Sequence, residues 1–139
     1  MRLVLDTNLV VAAFRSRHGA SNLLLRQVEN GTVRALCTTA LFLEYEAVLA
    51  RAETRTATGH SLDDVETIMS ALAAIAEPVD VRLRIRPILR DAGDEMVFEA
   101  AMGGGADVIV THNVRDFLPA RMYGIEIATP GEIVRRLRK

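Results

Sequence analysis

Short apolar runs alternate along this chain with longer stretches in which apolar positions recur every three or four residues. The first run, residues 2–5, is too short for an ordinary helix and suits a strand buried on both faces. A short helical segment follows at 9–15, then a loop from Ser16 to Gly19. Ser21 or Asn22 is placed to cap a helix running to Glu29, with Leu23, Leu24 and Val28 inward and Asn30-Gly31 as its stop. A second strand is predicted at 33–37. Thr38 or Thr39 then caps a helix over 40–51, whose apolar side holds Leu41, Tyr45, Val48 and Leu49.

The polar stretch 52–60 reads as an exposed loop. Ser61-Leu62-Asp63-Asp64 has capping-box form with Asp in place of Glu, and opens a helix to Ala76 with Val65, Ile68, Met69, Leu72 and Ile75 at helical spacing. Residues 79–86 alternate apolar with polar and predict a half-exposed edge strand. Its polar side carries Arg82, Arg84 and Arg86, a guard for the sheet edge or, less favoured, a phosphate contact. The stretch Asp91 to Asp94 opens a helix to Met102, ended by Gly103-Gly104-Gly105. A strongly apolar strand follows at 107–111, a short turn capped by Asn113, a last strand at 126–128, and a final helix with Pro130 in its first turn. Strands alternating with helices predict an α/β fold with a parallel sheet covered on both faces. With 139 residues and no linker or repeat, one domain over 1–139 is expected.

Composition narrows the class. Half the residues are hydrophobic and a quarter charged, which excludes a disordered or collagen-like chain. No apolar stretch has membrane-spanning length and the first strand runs straight into charged sequence, so a cytoplasmic protein is the expectation. The lone Cys37 excludes an internal disulfide and reads as a small core residue. A net charge of −1 gives no overall attraction to nucleic acid. All but one of the seventeen basic residues are arginine, which compositional bias explains better than phosphate binding does.

Against this background the polar residues just beyond the apolar runs stand out. Asp6 follows the first strand, at the sheet edge where α/β proteins bind ligands; alone, it reads first as a helix cap, and as a ligand it would have Thr7 and Asn8 to orient it. Glu44 lies one and a half turns into the helix after the second strand, and Glu46 is its rival, the helical wheel leaving both open. Asp94 sits in a first helical turn, where the macrodipole alone favours a carboxylate, as it does for Asp91. Glu95 and Glu99 read as solvated. Asn113 and Asp116 follow the strand that ends near Thr111, and their spacing also resembles a capping box. His112 lacks a partner at zinc-ligand spacing. In a parallel sheet these points converge, and clustered carboxylates stay ionised together only around a cation, with Mg²⁺ or Mn²⁺ favoured by hard oxygen donors.

The residues Leu3-Val4-Leu5-Asp6-Thr7-Asn8, Thr39 to Tyr45 with Val48-Leu49, Asp94 with Phe98, Ala100 and Ala101, and Ala106 to Phe117 together resemble the PIN domain family, in particular its toxin components of toxin–antitoxin systems, the VapC-like ribonucleases. The resemblance spans nearly the whole chain in order. It implies a three-layer α/β/α sandwich with a central, mainly parallel sheet of about five strands, and a Mg²⁺- or Mn²⁺-dependent endoribonuclease. Asp6, Glu44 and Asp94 match the family's three recurrent acids, which favours Glu44 over Glu46. Many relatives have a fourth Asp where this chain has Asn113, and variants with Asn there often carry an acid three residues on, as Asp116 does. By resemblance the metal falls to Asp6, Asp94 and Asp116, with Glu44 acting through water, Thr7, Asn8, Thr111 and Asn113 in support, and Arg115 on the RNA backbone. A small antitoxin partner and homodimerisation are implied in the same way. A receiver domain would want a lysine late in the sheet, and the only lysine is Lys139; a dehalogenase-like phosphatase would want an acid where Asn8 stands. A PIN scaffold that binds without cutting is the non-enzymatic alternative.

Overall fold

A computed structural model of the chain describes residues 1–81, 89 and 91–138. The stretch holding Arg82, Arg84 and Arg86 lies outside the described residues, as does Lys139.

The first strand, β1 (Arg2–Leu5), has Leu3, Val4 and Leu5 all buried. Successive side chains point to opposite faces, so burial at three consecutive positions means that both faces of the sheet are covered. β1 pairs with β2 (Arg34–Cys37) on one side and β4 (Val108–Val110) on the other, with β3 (Glu77–Pro78) and β5 (Glu126–Ala128) outermost. All four pairings are parallel, in the order β3-β2-β1-β4-β5. The earliest strand is therefore central. The chain winds outward from it to β3 and later returns to its other side, which makes the β1–β4 boundary the topological switch point.

The helices α1 (Thr7–Arg15), α2 (Ala20–Glu29), α3 (Thr39–Ala50), α4 (Ala52–Thr58), α5 (Leu62–Ile75), α6 (Ala92–Gly104) and α7 (Pro130–Leu137) complete a three-layer α/β/α arrangement, with a 3₁₀ segment at Val114–Tyr123. α6 packs on β1, β2 and β4, while α1, α2 and α7 form another packed group. Expected caps recur: the Thr38 hydroxyl accepts from the Leu41 N–H, and Ser61 with Asp64 forms a full capping box.

Four local expectations are corrected. α2 is capped by Gly19, because Ser21 and Asn22 turn inward: Ser21 Oγ meets His112 Nε2 at 2.8 Å and Asn22 Nδ2 donates to the Ala13 carbonyl at 2.8 Å. The supposed loop at 52–60 is mostly α4. Its alanines and long side chains suit a helix, its threonine hydroxyls bond back to helix carbonyls, and its one glycine, Gly59 at φ +79°, is the stop rather than a sign of a loop. The edge strand is the two-residue β3 at Glu77–Pro78, ahead of the expected 79–86, of which residues 79–81 are not strand; Pro78 belongs to β3, as an edge allows. The turn after β4 is a ten-residue 3₁₀ segment; Asn113 makes no side-chain cap, and Asp116 N–H donates to the Asn113 carbonyl at 3.0 Å.

Candidate functional site

A cleft of about 650 Å³ opens at the carboxyl ends of β1 and β4. Asp6 lies at its floor, 4% exposed, where β1 turns into α1. Its N–H donates to the Val110 carbonyl at 2.9 Å, continuing the sheet, and its carbonyl accepts from Leu9 and Val10 to start the helix. Its side chain does not cap α1. Instead Asp6 Oδ2 accepts from the Thr111 hydroxyl at 2.7 Å, and the same hydroxyl accepts from the Asn113 N–H at 2.9 Å. Burial raises the Asp6 pKa above the usual range, with Thr111, the amides of Thr7 and Asn8, and His112 partly offsetting it.

The strand before Asp6 is held from another side. The β1–β2 ladder reaches only the Leu3–Ala35 pair, and the buried Tyr45 hydroxyl of α3 donates to the Leu5 carbonyl at 2.5 Å. The sheet thus splays where the cleft opens without leaving that carbonyl unpaired.

Three further elements bring acids to the cleft. Asp91 caps α6, accepting from the N–H groups of Gly93 at 2.8 Å and Asp94 at 3.1 Å, and Asp94 follows in the first turn. The Asp94 pKa is pushed up to about 6, first by burial and then by the charges of Asp6, Asp91, Asp116 and Glu95. Asp116 sits exposed in the first turn of the 3₁₀ segment. Glu44 is half-buried on α3, and its Oε1 lies 3.8 Å from where a Cβ on Gly93 would stand. Asp6, Thr7, Asn8, Glu44, Asp94, Asn113, Arg115 and Asp116 all line the cleft; Thr111 stands behind Asp6, and Glu46 is exposed elsewhere. Glu95, expected to be solvated, is half-buried and accepts from the Leu89 N–H.

Among the described residues, no group of three or more His, Cys, Asp or Glu side chains is placed as it stands to hold a metal ion. The donors are nonetheless of one kind. All are oxygen, and the buried Thr7 Oγ1 has no hydrogen-bond partner. Cys37 is buried away from the cleft, and the nearest histidine, His112, is engaged by Ser21. A hard divalent cation fits this donor set, and a zinc-type site does not.

Sequence reasoning missed Arg51, Val48, Leu89 and Pro119, which also line the cleft. The spacing of Glu44, Val48 and Arg51, four then three residues apart, was the available signal for two of them.

The model of the PIN domain matches residues 2–115, ending one residue short of Asp116. Among solved structures, a chain of VapBC2 from Rickettsia felis, crystallised bound to a DNA fragment from its promoter, superposes with a TM-score of 0.61 at 16% identity, over 93% of this chain and 98% of that one. FitAcB from Neisseria gonorrhoeae gives 0.52 at 16% identity, with the same 93% and 98% coverage. No curated protein matches the sequence. The structural likenesses bear on the fold, and the family match takes in every strand and helix from β1 to β4; the chain belongs to the PIN domain family.

Proposed function

We propose that this protein is a Mg²⁺- or Mn²⁺-dependent endoribonuclease and the toxin of a toxin–antitoxin pair. The observation that carries the reading is the convergence of Asp6, Glu44, Asp94 and Asp116 on one cleft at the switch point of a parallel sheet. Membership of the PIN family supports nuclease chemistry, and the likeness to VapBC2 and FitAcB supports the toxin setting.

Asp6, Asp94 and Asp116 would hold the metal, with Glu44 facing it through water. The bound ion would supply a Lewis acid for the phosphate and a water of lowered pKa for in-line attack. Thr111 keeps the Asp6 carboxylate oriented and tied to the Asn113 backbone. Asp91 fixes the first turn from which Asp94 projects. Asp94 must give up its proton for the cation to bind, so affinity rises with pH through the region of its raised pKa. Thr7, Asn8 and Asn113 add neutral oxygens, and Arg115 at the cleft binds substrate phosphate. A small antitoxin would cover the acidic cleft, and a homodimer is the expected assembly. Among the described residues no helix is long and apolar enough to cross a membrane.

The second reading is a PIN scaffold that binds RNA or protein without cutting, favoured by Asn113 standing where many relatives carry an acid. The separating experiment measures cleavage of single-stranded and structured RNA with Mn²⁺, Mg²⁺ or EDTA, beside thermal melts with and without metal. Asp6→Asn and Asp94→Asn are each expected to lower cleavage at least 100-fold and to remove metal stabilisation while the chain stays folded. Cleavage surviving both EDTA and Asp6→Asn would sink the mechanism. A melt insensitive to metal would favour the scaffold.

A further inference from the structure

Glu44 and Val48 share one stripe of α3, Arg51 is the extended residue that ends the helix, and all three line the cleft. Arg51 sits at the joint between two helices: its N–H donates to the Val48 carbonyl at 3.3 Å, and its own carbonyl accepts from the Arg55 N–H at 2.9 Å to begin α4. The side chain is exposed, while its backbone is fixed by both helices.

The Arg51 side chain makes no ion pair among the described residues. Their ion pairs are Arg2–Glu77, Arg34–Glu77 and Arg136–Glu126. Arg115, on the other side of the cleft, is unpaired in the same sense. Neither guanidinium is among the groups that shift Asp6 or Asp94, and every charge acting on Asp94 is negative. The acids and the two arginines line one cleft, with Arg51 at the end of α3 and Arg115 in the 3₁₀ segment. Strand order sets the arrangement: α3 follows β2, the 3₁₀ segment follows β4, and Asp6 ends the strand between.

We propose that Arg51 and Arg115 are phosphate-binding residues that hold a single-stranded nucleic acid across the acid cluster, one on each side of the bond to be cut. This rests on the nuclease reading above. A lone phosphate or mononucleotide has its charge in one place and would leave at least one guanidinium empty. A strand carries a charge at every nucleotide, about 3.4 Å apart along it, and so can meet both guanidiniums and the acids between them at once. A cleft of about 650 Å³ suits one strand with a base or two, with Val48, Leu89 and Pro119 as apolar wall. RNA and DNA strands share this chemistry, and the test separates them.

The experiment uses fluorescein-labelled 12-mers of RNA and of DNA with one sequence, and compares wild type with Arg51→Gln, Arg51→Lys, Arg115→Gln and, as a control away from the cleft, Arg26→Gln. Cleavage with Mn²⁺ is measured across a salt series, and binding is followed by fluorescence anisotropy. Arg51→Gln and Arg115→Gln are each expected to raise KM five- to thirty-fold with kcat within twofold, and to lower the salt slope by about 0.7. Arg51→Lys should restore much of the loss, and Arg26→Gln should match wild type. Preference for one 12-mer would name the sugar that the strand carries. An Arg51→Gln protein that melts normally and keeps wild-type KM, binding and salt slope overturns the proposal. If wild type cuts neither strand yet Arg51→Gln loses binding, the strand-holding role stands and the nuclease reading falls.

Discussion

At Asp94, burial and four neighbouring carboxylates all act in one direction and lift its pKa from 3.8 to about 6. The folded metal-free protein then keeps a proton that the unfolded chain has released, across the window between those values. The native state binds more protons there, so stability falls as pH rises through the window and the loss is complete above it. The full shift corresponds to about 3 kcal/mol; Asp94 is partly exposed, and screening reduces that to about 1 kcal/mol. Denaturant titrations in EDTA from pH 4 to 7 should show wild type losing about 1 kcal/mol relative to Asp94→Asn. Saturating Mg²⁺ should reverse the trend, because only the ionised carboxylate binds the cation. Parallel curves for the two proteins in EDTA would contradict the coupling. At this scale the sequence was informative about acids and silent about their opposites. Asp6, Glu44 and Asp94 follow apolar runs closely enough to be noticed, whereas Arg51 ends a helix in a chain with arginine throughout and shows its direction only once the cleft is seen.

Among the elements, α6 shows how one residue type conceals two jobs. The triplet of glycines at 103–105 reads in sequence as a helix stop. Only Gly105, at φ +62°, fills that role; the helix continues through Gly104. At Gly104 an added Cβ would meet Leu36 Cδ1 and Val79 Cγ2 at 2.8 Å each, so this glycine lets α6 lie close on the β2 side of the sheet. Gly104→Ala should destabilise by about 1–3 kcal/mol, as overpacked cores do. Gly103→Ala, whose Cβ would meet Val79 Cγ1 at 3.4 Å, should be near neutral, since helix propensity favours alanine there. Differential scanning calorimetry of the pair decides it, and equal losses would refute the packing account. The same ambiguity hid α4: a polar stretch holding one glycine is a loop by composition and a short surface helix with its stop by structure. The Asn113–Asp116 spacing misled in the opposite direction, suggesting a side-chain cap where the backbone alone makes the turn.

For the molecule as a whole, alternation of strand and helix disclosed the parallel sheet, while strand order was out of reach, because every buried strand carries the same apolar pattern. That order matters beyond the finished structure. β1 comes first among the described strands, yet its neighbour β4 follows only after about a hundred further residues, and the Thr111–Asp6 hydrogen bond closes a separation of 105. Contacts so distant in sequence form late and slowly. In refolding from denaturant, helical signal should therefore return before Mn²⁺-binding competence, which should appear with the slowest phase; simultaneous recovery by both probes would show otherwise. A growing chain carries Asp6 and Glu44 well before β4 and Asp116 follow to complete their cleft. No chemistry that needs the four acids together can begin until both have been made.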